Sequence, residues 1–229
     1  LIFGETGTGK EMLAKACHQS SRRADKAFLA LNCGALPDNV AETELFGYAA
    51  GTFNQTEGKA GLLEQAAGGT LLLDEIADMS VHLQAKLLRV LEDGEFRRVG
   101  DVNPVAVDVR FICTTCQDLG QLVDEGKFRK ELYYRLNVLG LVVPALRERR
   151  SDIVPLSESF ILQHSAKLGR RPAKLSKSCV EFLQQYPWPG NVRQLQNALF
   201  RALSLLDGNE ITKEDIQLPS CTPSMTYVD

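Results

Sequence analysis

Long apolar runs are missing from this sequence, and so is any excess of basic charge. No stretch reaches the ~18 consecutive apolar residues that a membrane-spanning helix requires, so no membrane contact is expected. The net charge is −3 and the pI lies near 5.7. Both values argue against this segment being the main nucleic-acid-binding surface of a protein.

Cysteine pairs suited to a metal are also lacking. Cys113 and Cys116 form one C-x-x-C, but neither a second pair nor paired histidines accompany them. Cys113 also falls within a predicted strand, so a zinc site is not expected. With no disulfide pattern, the chain fits a reducing cytoplasm.

A glycine-rich loop lies between a predicted strand and a predicted helix at the start of the chain. Leu1-Ile2-Phe3 is typical of the end of a buried strand, and Met12, Leu13, Ala16 and Cys17 follow at helical spacing. Glycines allow a tight turn and leave no Cβ to block a phosphate, while loop N–H groups and the helix N-terminus attract the anion. The candidate phosphate-binding residues are Gly4, Glu5, Thr6, Gly7, Thr8, Gly9, Lys10 and Glu11.

Glu11 departs from the usual phosphate loop, in which Ser or Thr follows the lysine and ligates magnesium. A glycine-rich turn that binds nothing is therefore an alternative interpretation of the loop taken alone. On the phosphate-binding interpretation, Lys10 supplies a mobile positive charge for the β- and γ-phosphates of ATP.

Two carboxylates follow a second predicted strand. Leu71-Leu72-Leu73 is apolar throughout, which is typical of a strand buried on both faces of a parallel sheet. Asp74 and Glu75 would then stand at the carboxyl edge of the sheet, where open α/β sheets bind ligands. We expect Asp74 to hold Mg²⁺ through water and Glu75 to polarise the attacking water. The alternative is a solvated strand end without a role.

The order of predicted elements indicates an α/β nucleotide-binding domain over residues 1–145, a helical lid over 146–218, and a linker over 219–229 that leads toward a DNA-binding domain outside the chain. Predicted strands alternate with helices in the first part, and only helices are predicted in the second. The predicted strands are 1–3, 27–32, 71–75, 108–115 and 138–143.

Residues 47–61 contain four glycines and show neither helical nor strand periodicity. We predict a long surface loop or thin hairpin, and loops of this length in compact domains are usually functional. An exposed Phe53 would contact a partner; packing of Phe53 on its own domain is the open alternative. The candidate partner-binding residues are Gly51, Thr52, Phe53 and Asn54.

Three arginines outside the loop are further candidates. Arg129 and Arg135 lie on a helix predicted over 128–137, but six positions apart they point in different directions on an ideal helix. One of them could therefore be structural, or the helix could end between them. Arg193 follows a Trp-Pro-Gly turn, where we predict that Asn191 caps a helix and that Arg193 reaches back to the nucleotide.

These blocks together resemble the AAA+ module of bacterial enhancer-binding proteins, the activators of sigma-54 RNA polymerase. The resemblance covers nearly the whole chain, and eight blocks in order are far more specific than one phosphate loop. The blocks are GETGTGKE at 4–11, LNCGAL at 31–36, ELFG at 44–47, GGTLLLDEI at 68–76, KLLRVLEDGEFRRVG at 86–100, FRKELYYRLNV at 128–138, LRERRSDI at 146–153 and WPGNVRQLQN at 188–197.

The resemblance implies a role for each matched residue. That family also has Glu after the loop lysine, so Glu11 fits its pattern. Asn32 resembles the switch residue that holds the catalytic glutamate, and Arg129 and Arg135 resemble arginine fingers that reach a neighbouring subunit's γ-phosphate. Thr115 matches a γ-phosphate sensor, although Cys116 replaces the Asn expected next, and Arg193 resembles the lid sensor.

The resemblance also implies partners: a homo-oligomeric ring, with a hexamer expected, RNA polymerase holoenzyme, and DNA bound outside this segment. The partner loop reads Gly-Thr-Phe-Asn-Gln-Thr at 51–56 where the family has Gly-Ala-Phe-Thr-Gly-Ala. This change is similar to the TyrR-type branch, which responds to aromatic amino acids and acts through sigma-70 polymerase. We therefore expect no activation of sigma-54 polymerase.

Two other functions stay open beside an ATP-hydrolysing ring. The first is a nucleotide-responsive oligomerisation switch of a TyrR-type repressor or activator with weak or no hydrolysis, favoured by the altered loop and by Cys116. The second is a plain phosphate-loop enzyme such as a small-molecule kinase, which the helical lid and the paired arginines disfavour. A GTPase is disfavoured because Asn-Lys-x-Asp does not occur.

Overall fold

The computed structural model describes residues 1–52 and 57–218. It divides into two compact units. The first unit contains Leu1–Glu5 and Gly9–Val143, and the second contains Thr6–Thr8 and the chain from Pro144. The tip of the predicted phosphate loop is thus grouped with the helical part of the chain.

Helices separate the strands of the first unit, except within residues 47–60 and 95–115, where strands follow one another directly along the described chain. The strands of the described residues are β1 Ile2–Phe3, β2 Phe28–Asn32, β3 Gly47–Tyr48, β4 Lys59–Ala60, β5 Thr70–Asp74, β6 Glu95–Arg97, β7 Pro104–Ala106, β8 Arg110–Thr115, β9 Leu141–Val142, β10 Lys174–Leu175 and β11 Glu210–Ile211. The helices are α1 Lys10–Gln19, α2 Asp38–Phe46, α3 Leu62–Gln65, α4 Val81–Asp93, α5 Leu119–Asp124, α6 Lys130–Leu136, α7 Ile153–Lys167, α8 Lys177–Gln185 and α9 Asn191–Leu205.

The core of the first unit is a five-stranded sheet in the order β2-β5-β8-β1-β9, and every pairing in it is parallel. Leu71, Leu72 and Leu73 of central strand β5 are fully buried because helices cover both faces. The predicted fold class, a parallel-sheet α/β domain followed by a helical lid, is confirmed. β5 ends at Asp74, which pairs with Asn32 at the end of β2, so both residues lie at the carboxyl edge.

Helix α4 begins and ends where its flanking residues predict. The Ser80 hydroxyl accepts a hydrogen bond from the Leu83 N–H, and Gly94 adopts φ 71° in the left-handed region that ends helices. Helix α5 is not predicted from the apolar periodicity because it has only six residues. The signal for it is Asp118, whose carboxylate accepts from the N–H groups of Gly120 and Gln121.

Within residues 47–52 and 57–61, β3 and β4 pair antiparallel as the two arms of a hairpin. A second hairpin, β6 with β7, lies beside it, since the Ala49 N–H donates to the Val99 carbonyl and the Val99 N–H donates to the Gly47 carbonyl. Gly51 and Thr52 lie in the first hairpin. Phe53 and Asn54 fall outside the described residues.

The second unit packs α7, α8 and α9 around Trp188, which is fully buried and donates its indole N–H to the Leu183 carbonyl over 2.7 Å. It also holds a short parallel strand pair, β10 with β11, in addition to the predicted helices. The prediction that Asn191 caps a helix is wrong. Asn191 is the first residue of α9, and Gly190 precedes it without a side-chain capping hydrogen bond.

No helix within residues 1–52 and 57–218 is both long and apolar enough to cross a membrane.

Candidate nucleotide site

The Lys10 ammonium lies at the entrance of helix α1 and contacts both the loop and a carboxylate. Its Nζ donates to the Gly4 carbonyl over 2.9 Å and lies 3.1 Å from Oε1 of Glu75. The Lys10 side chain is only 6% exposed. A mobile cation and the second predicted carboxylate are therefore in direct contact at the strand edge.

The N-terminus of α1 is left open for an anion. Gly9 precedes the helix with φ 102°, a left-handed conformation that side-chain-bearing residues rarely adopt, and no side chain caps the first turn. The first N–H groups of a helix have no intrahelical acceptor. With Lys10 beside them, these donors fit a phosphate group.

The loop tip requires glycine. Gly7 adopts φ +81°, and a Cβ at this position would lie 2.5 Å from the Gly190 carbonyl oxygen. The Arg193 N–H also donates to the Gly7 carbonyl over 3.3 Å. Within the second unit, Arg193 thus stands beside the loop tip, and its side chain is exposed.

Two further side chains of the second unit hold the loop tip through its carbonyls. Asn191 Nδ2 donates to the Thr6 carbonyl over 3.1 Å, and the Arg149 guanidinium donates to the Thr8 carbonyl over 2.6 Å. Neither residue was predicted to contact the loop. Carbonyls bound in this way are turned toward the helical residues of the second unit.

Glu75 has an unusual backbone conformation and a well-bonded carboxylate. It adopts φ 52° and ψ 57°, a left-handed conformation that costs energy in a non-glycine residue and marks functional sites. Its Oε2 accepts the Cys116 N–H over 2.9 Å, and Oε1 faces Lys10. Burial alone would raise the pKa of Glu75, but the hydrogen bonds from Lys10 and Cys116 outweigh burial and lower the pKa below its ordinary value.

The sequence analysis missed Thr114, which connects the two carboxylate residues. Its fully buried hydroxyl donates to Asp74 Oδ1 over 2.5 Å and accepts the Glu75 N–H over 3.1 Å. One hydroxyl thereby orients the Asp74 carboxylate and satisfies the N–H of the left-handed residue. The available signal is position alone, since Thr114 is the second-last residue of β8, the strand that pairs with β5.

Asn32 contacts the neighbour of the residue that it was expected to hold. Its Nδ2 donates to Asp74 Oδ2 over 3.2 Å, and its Oδ1 accepts the Gly34 N–H. In this structure the Glu75 carboxylate is held by Lys10 and Cys116 instead. The switch role of Asn32 stays a prediction.

Thr115, the predicted sensor, is fully buried and uses its hydroxyl locally. The hydroxyl accepts the Gln117 N–H over 3.0 Å and donates to the Gln117 carbonyl over 3.2 Å. The residue after it reaches the site through its backbone, because the Cys116 N–H binds Glu75. A phosphate-sensing role of Thr115 stays a prediction.

The two candidate fingers bracket α6. Arg129 immediately precedes the helix, and Arg135 lies in its last turn, where the guanidinium donates to the Leu91 carbonyl over 2.8 Å. Across the described residues, neither guanidinium bonds to Asp74 or Glu75, and the buried Nε of Arg129 has no hydrogen-bond partner.

The acids suit a magnesium ion that arrives with a nucleotide. No group of three or more His, Cys, Asp or Glu residues in the described chain could hold a metal ion by itself. Mg²⁺ typically takes one or two carboxylates plus substrate phosphates and keeps several waters. Asp74, a carboxylate at the strand edge beside the uncapped helix, is the residue that fits this pattern.

Comparisons with known proteins agree with this geometry. Residues 1–142 match the family described as the Sigma-54 interaction domain, and residues 147–220 match the AAA+ ATPase lid domain. The chain is 56% identical over 220 residues to the HTH-type transcriptional regulatory protein TyrR of Enterobacter agglomerans, covering 96% of this chain and 42% of that protein. It is 49% identical to TyrR of Haemophilus influenzae, with coverage of 95% and 67%.

Among solved structures, the chain is similar to NtrX of Brucella abortus in complex with ATP. The TM-score is 0.87 at 39% identity, and the match covers 99% of this chain and 51% of that one. The chain thus spans about half of NtrX and less than half of the Enterobacter regulator.

Proposed function

Because this chain belongs to the Sigma-54 interaction domain family of AAA+ proteins, we propose that it binds ATP with Mg²⁺ and hydrolyses it as the oligomerising module of a TyrR-like bacterial transcriptional regulator. The observation that carries this proposal is the contact of Lys10 Nζ with both the loop carbonyl and the Glu75 carboxylate. It supports the proposal because a cation suited to bind phosphate and a carboxylate suited to act as general base lie together at one strand edge. NtrX, a structural neighbour, was solved with ATP.

Each residue has a distinct task in this proposal. Bound ATP supplies the phosphoanhydride bond, and Mg²⁺ supplies positive charge beside its phosphates. The uncapped start of α1 and Lys10 bind and orient the phosphates, and Asp74 holds the metal through water. Glu75 orients the attacking water and accepts its proton.

In this proposal Glu75 changes partner when ATP binds. In the structure its carboxylate is paired with Lys10. A phosphate group that takes over the Lys10 ammonium removes this partner, so the Glu75 pKa rises and its carboxylate becomes a better proton acceptor. Thr114 holds the Glu75 backbone in place during this exchange.

The arginines complete the site from a second subunit. In the described residues, Arg129 and Arg135 make no bond to Asp74 or Glu75 of their own chain, so we propose that they reach the γ-phosphate of a neighbour. Guanidinium groups in this position stabilise the charge that develops on the transferred phosphoryl group. We expect a closed ring, with a hexamer as its form, and Arg193 as the sensor beside the loop tip.

The alternative of an oligomerisation switch without hydrolysis is not favoured. Lys10, Asp74 and Glu75 are all present and lie in one hydrogen-bonded group. Nothing in this group blocks the proton transfer that hydrolysis requires.

Other partners are proposed from the relatives. We propose contact with RNA polymerase holoenzyme through the hairpin at 47–61, DNA binding outside this chain, an aromatic amino acid as effector, and work in the cytoplasm. The changed residues at 51–56 lead us to expect no stimulation of open-complex formation by sigma-54 polymerase. Strong stimulation in a promoter-opening assay would contradict this expectation, and Phe53→Ala tests whether the hairpin tip contacts a partner.

The hydrolysis proposal is tested by steady-state phosphate release with Mg²⁺ and ATP, using Lys10→Ala as the comparison. We expect turnover by the wild-type chain and loss of both nucleotide binding and turnover in the variant. Equal nucleotide binding by the two proteins would show that Lys10 and the loop do not form the nucleotide site.

A further inference from the structure

A fully buried glutamine on α4 connects the segment after Glu75 to the start of α6. Gln84 is 0% exposed, and its amide makes three hydrogen bonds. Nε2 donates to the Met79 carbonyl over 2.7 Å and to the Lys127 carbonyl over 3.1 Å, and Oε1 accepts the Arg129 N–H over 2.8 Å. A buried amide with this many partners is costly to replace, because each lost bond leaves a polar group unpaired.

The three partners determine the orientation of the Gln84 amide. Two are carbonyl oxygens, which only accept, and the third is an N–H, which only donates. Turning the amide over would place its NH₂ against an N–H and its oxygen against two carbonyls. Oε1 therefore faces the backbone of Arg129.

The backbone of Arg129 is fixed on both sides by this arrangement. Its carbonyl accepts the Tyr133 N–H in the first turn of α6, and its N–H has Gln84 as partner. Phe128 beside it is 2% exposed and donates its N–H to the Leu122 carbonyl. By contrast, the buried Nε of Arg129 has no hydrogen bond within the described residues and only a 4.0 Å ion pair with Glu131, so the backbone is the main constraint on where the guanidinium begins.

We propose that Gln84 is a positioning residue for the arginine finger: it holds the Arg129 backbone so that the guanidinium reaches the neighbouring subunit's nucleotide. This rests on the proposed function, in which Arg129 acts in trans. The Met79 bond ties the same amide to the segment three residues beyond Ile76, so the residues after the general base and the start of the finger helix share one support.

The first test is Gln84→Met, which keeps an unbranched side chain of similar length and removes all three bonds. Gln121→Met is the matched control, because Gln121 is exposed and its amide bonds to Glu125, the C-cap residue of its own helix. A misplacement of about 1 Å costs on the order of 10²-fold in rate. We expect kcat of Gln84→Met to fall by about this factor, with nucleotide affinity unchanged and the control at the wild-type rate.

The decisive experiment mixes variants. A Glu75→Gln subunit lacks the base but carries an intact finger, and a Gln84→Met subunit carries an intact base but a misplaced finger. In a random equal mixture about one interface in four joins an intact base to an intact finger. We therefore expect the mixture to recover about a quarter of the wild-type rate, although each variant alone is nearly inactive.

Mixing Arg129→Ala with Glu75→Gln separates this inference from the proposed function. If that mixture is not rescued, Arg129 does not act on a neighbouring subunit's nucleotide, and that part of the proposed function is wrong. If that mixture is rescued while the Gln84→Met mixture gives only the average of its components, the Gln84 inference alone is wrong. A wild-type rate for Gln84→Met would contradict it as well.

A second variant is needed in case Gln84→Met does not fold. Gln84→Glu keeps an acceptor for the Arg129 N–H and removes the two donors. If thermal unfolding shows that Gln84→Met does not fold, the mixing test is repeated with Gln84→Glu. Rescue of its mixture with Glu75→Gln then supports the inference, and a rate equal to the average of the two variants contradicts it.

Discussion

The two halves of the candidate site differ in how completely their polar groups are bonded. At the strand edge, Lys10, Asp74 and Glu75 all have partners within 3.2 Å, and Thr114 connects the two acids. Around α6, the buried Nε of Arg129 has no hydrogen bond among the described residues and forms only an ion pair with Glu131 at 4.0 Å. The Arg129 backbone, however, is held firmly by Gln84.

In the proposed function, this difference separates what one chain assembles from what a second subunit completes. A buried donor without a hydrogen bond costs free energy, so proteins rarely leave one unless a ligand or partner supplies the acceptor. We therefore call Lys10, Asp74 and Glu75 the finished half-site and the Arg129 region the unfinished half-site, and we propose that a second subunit's nucleotide completes the unfinished one.

The largest effect on turnover should come from truncating Arg129, the arginine of the unfinished half-site. Arg129→Ala should lower kcat on the order of 10³-fold, because a finger arginine stabilises charge only in the transition state. Nucleotide affinity should stay within about threefold, since binding uses the other half-site. Phosphate release and nucleotide titration measure the two quantities. A matched loss of affinity would show that Arg129 belongs to the same half as Lys10.

Glu75→Gln, a substitution in the finished half-site, should abolish ATP turnover while nucleotide binding is kept. A general base contributes on the order of 10²- to 10⁴-fold, and an amide cannot accept the proton. The substitution also releases Lys10 from its ion pair, so ATP should bind at least as tightly as in the wild type. Turnover comparable to the wild type would exclude Glu75 as the base.

The same variant reports on the ion pair through pH. The pKa of Glu75 lies below its ordinary value of 4.5 in the folded protein, so the pair stabilises the fold above that pH. The contribution is lost as the pH falls through the lowered pKa. The difference in Tm between wild type and Glu75→Gln should therefore shrink below pH 4.5. A difference that grows on acidification would contradict the pairing.

A smaller effect is expected at Thr114, which supports the finished half without touching substrate. Thr114→Val removes the hydroxyl at nearly constant shape, and a hydrogen bond to a charged group contributes about 1.5–3 kcal/mol. We expect kcat to fall by about tenfold or somewhat more, with Thr114→Ser close to wild type. If the serine variant is as slow as the valine variant, the methyl group matters instead of the hydroxyl.

The smallest change is in thiol reactivity. Burial raises the pKa of Cys113 to about 12 and, together with nearby Asp215 and Glu214, raises that of Cys179 to about 11, so both should resist alkylation in the folded chain. Cys116 is exposed and its N–H contacts Glu75. Labelling followed by mass spectrometry should modify Cys116 before either buried thiol, and nucleotide should slow it. Equal labelling with and without nucleotide would show that Cys116 does not lie at the nucleotide site.

The sequence predicts the finished half better than the unfinished one. The phosphate loop and the two acids depend on local chemistry, namely a strand, a glycine turn and a helix start, and these features are visible in Gly4 to Glu11 and Leu71 to Glu75. Thr114 and Gln84 act through hydrogen bonds to residues about 40 positions away in the chain. Such contacts have no local periodicity, so composition and spacing do not indicate them.

The wrong prediction for Asn191 has the same physical origin. Its residue type and position predict a helix cap, but tertiary contacts use its side chain for the Thr6 carbonyl and the Leu146 N–H. Asn32 lies opposite Asp74 in the strand register and binds it, while its switch role toward Glu75 stays a prediction. At both residues a contact distant in sequence decides the partner.

The central claim is that one subunit supplies the acids and the next supplies the arginine. It is tested most directly by measuring ATPase rate per subunit across a range of protein concentrations, with the molecular mass determined by light scattering in the same samples with and without ATP. We expect the rate per subunit to rise steeply and to follow the formation of the oligomer. A rate that is independent of concentration, from a chain that stays monomeric with ATP bound, would contradict the claim.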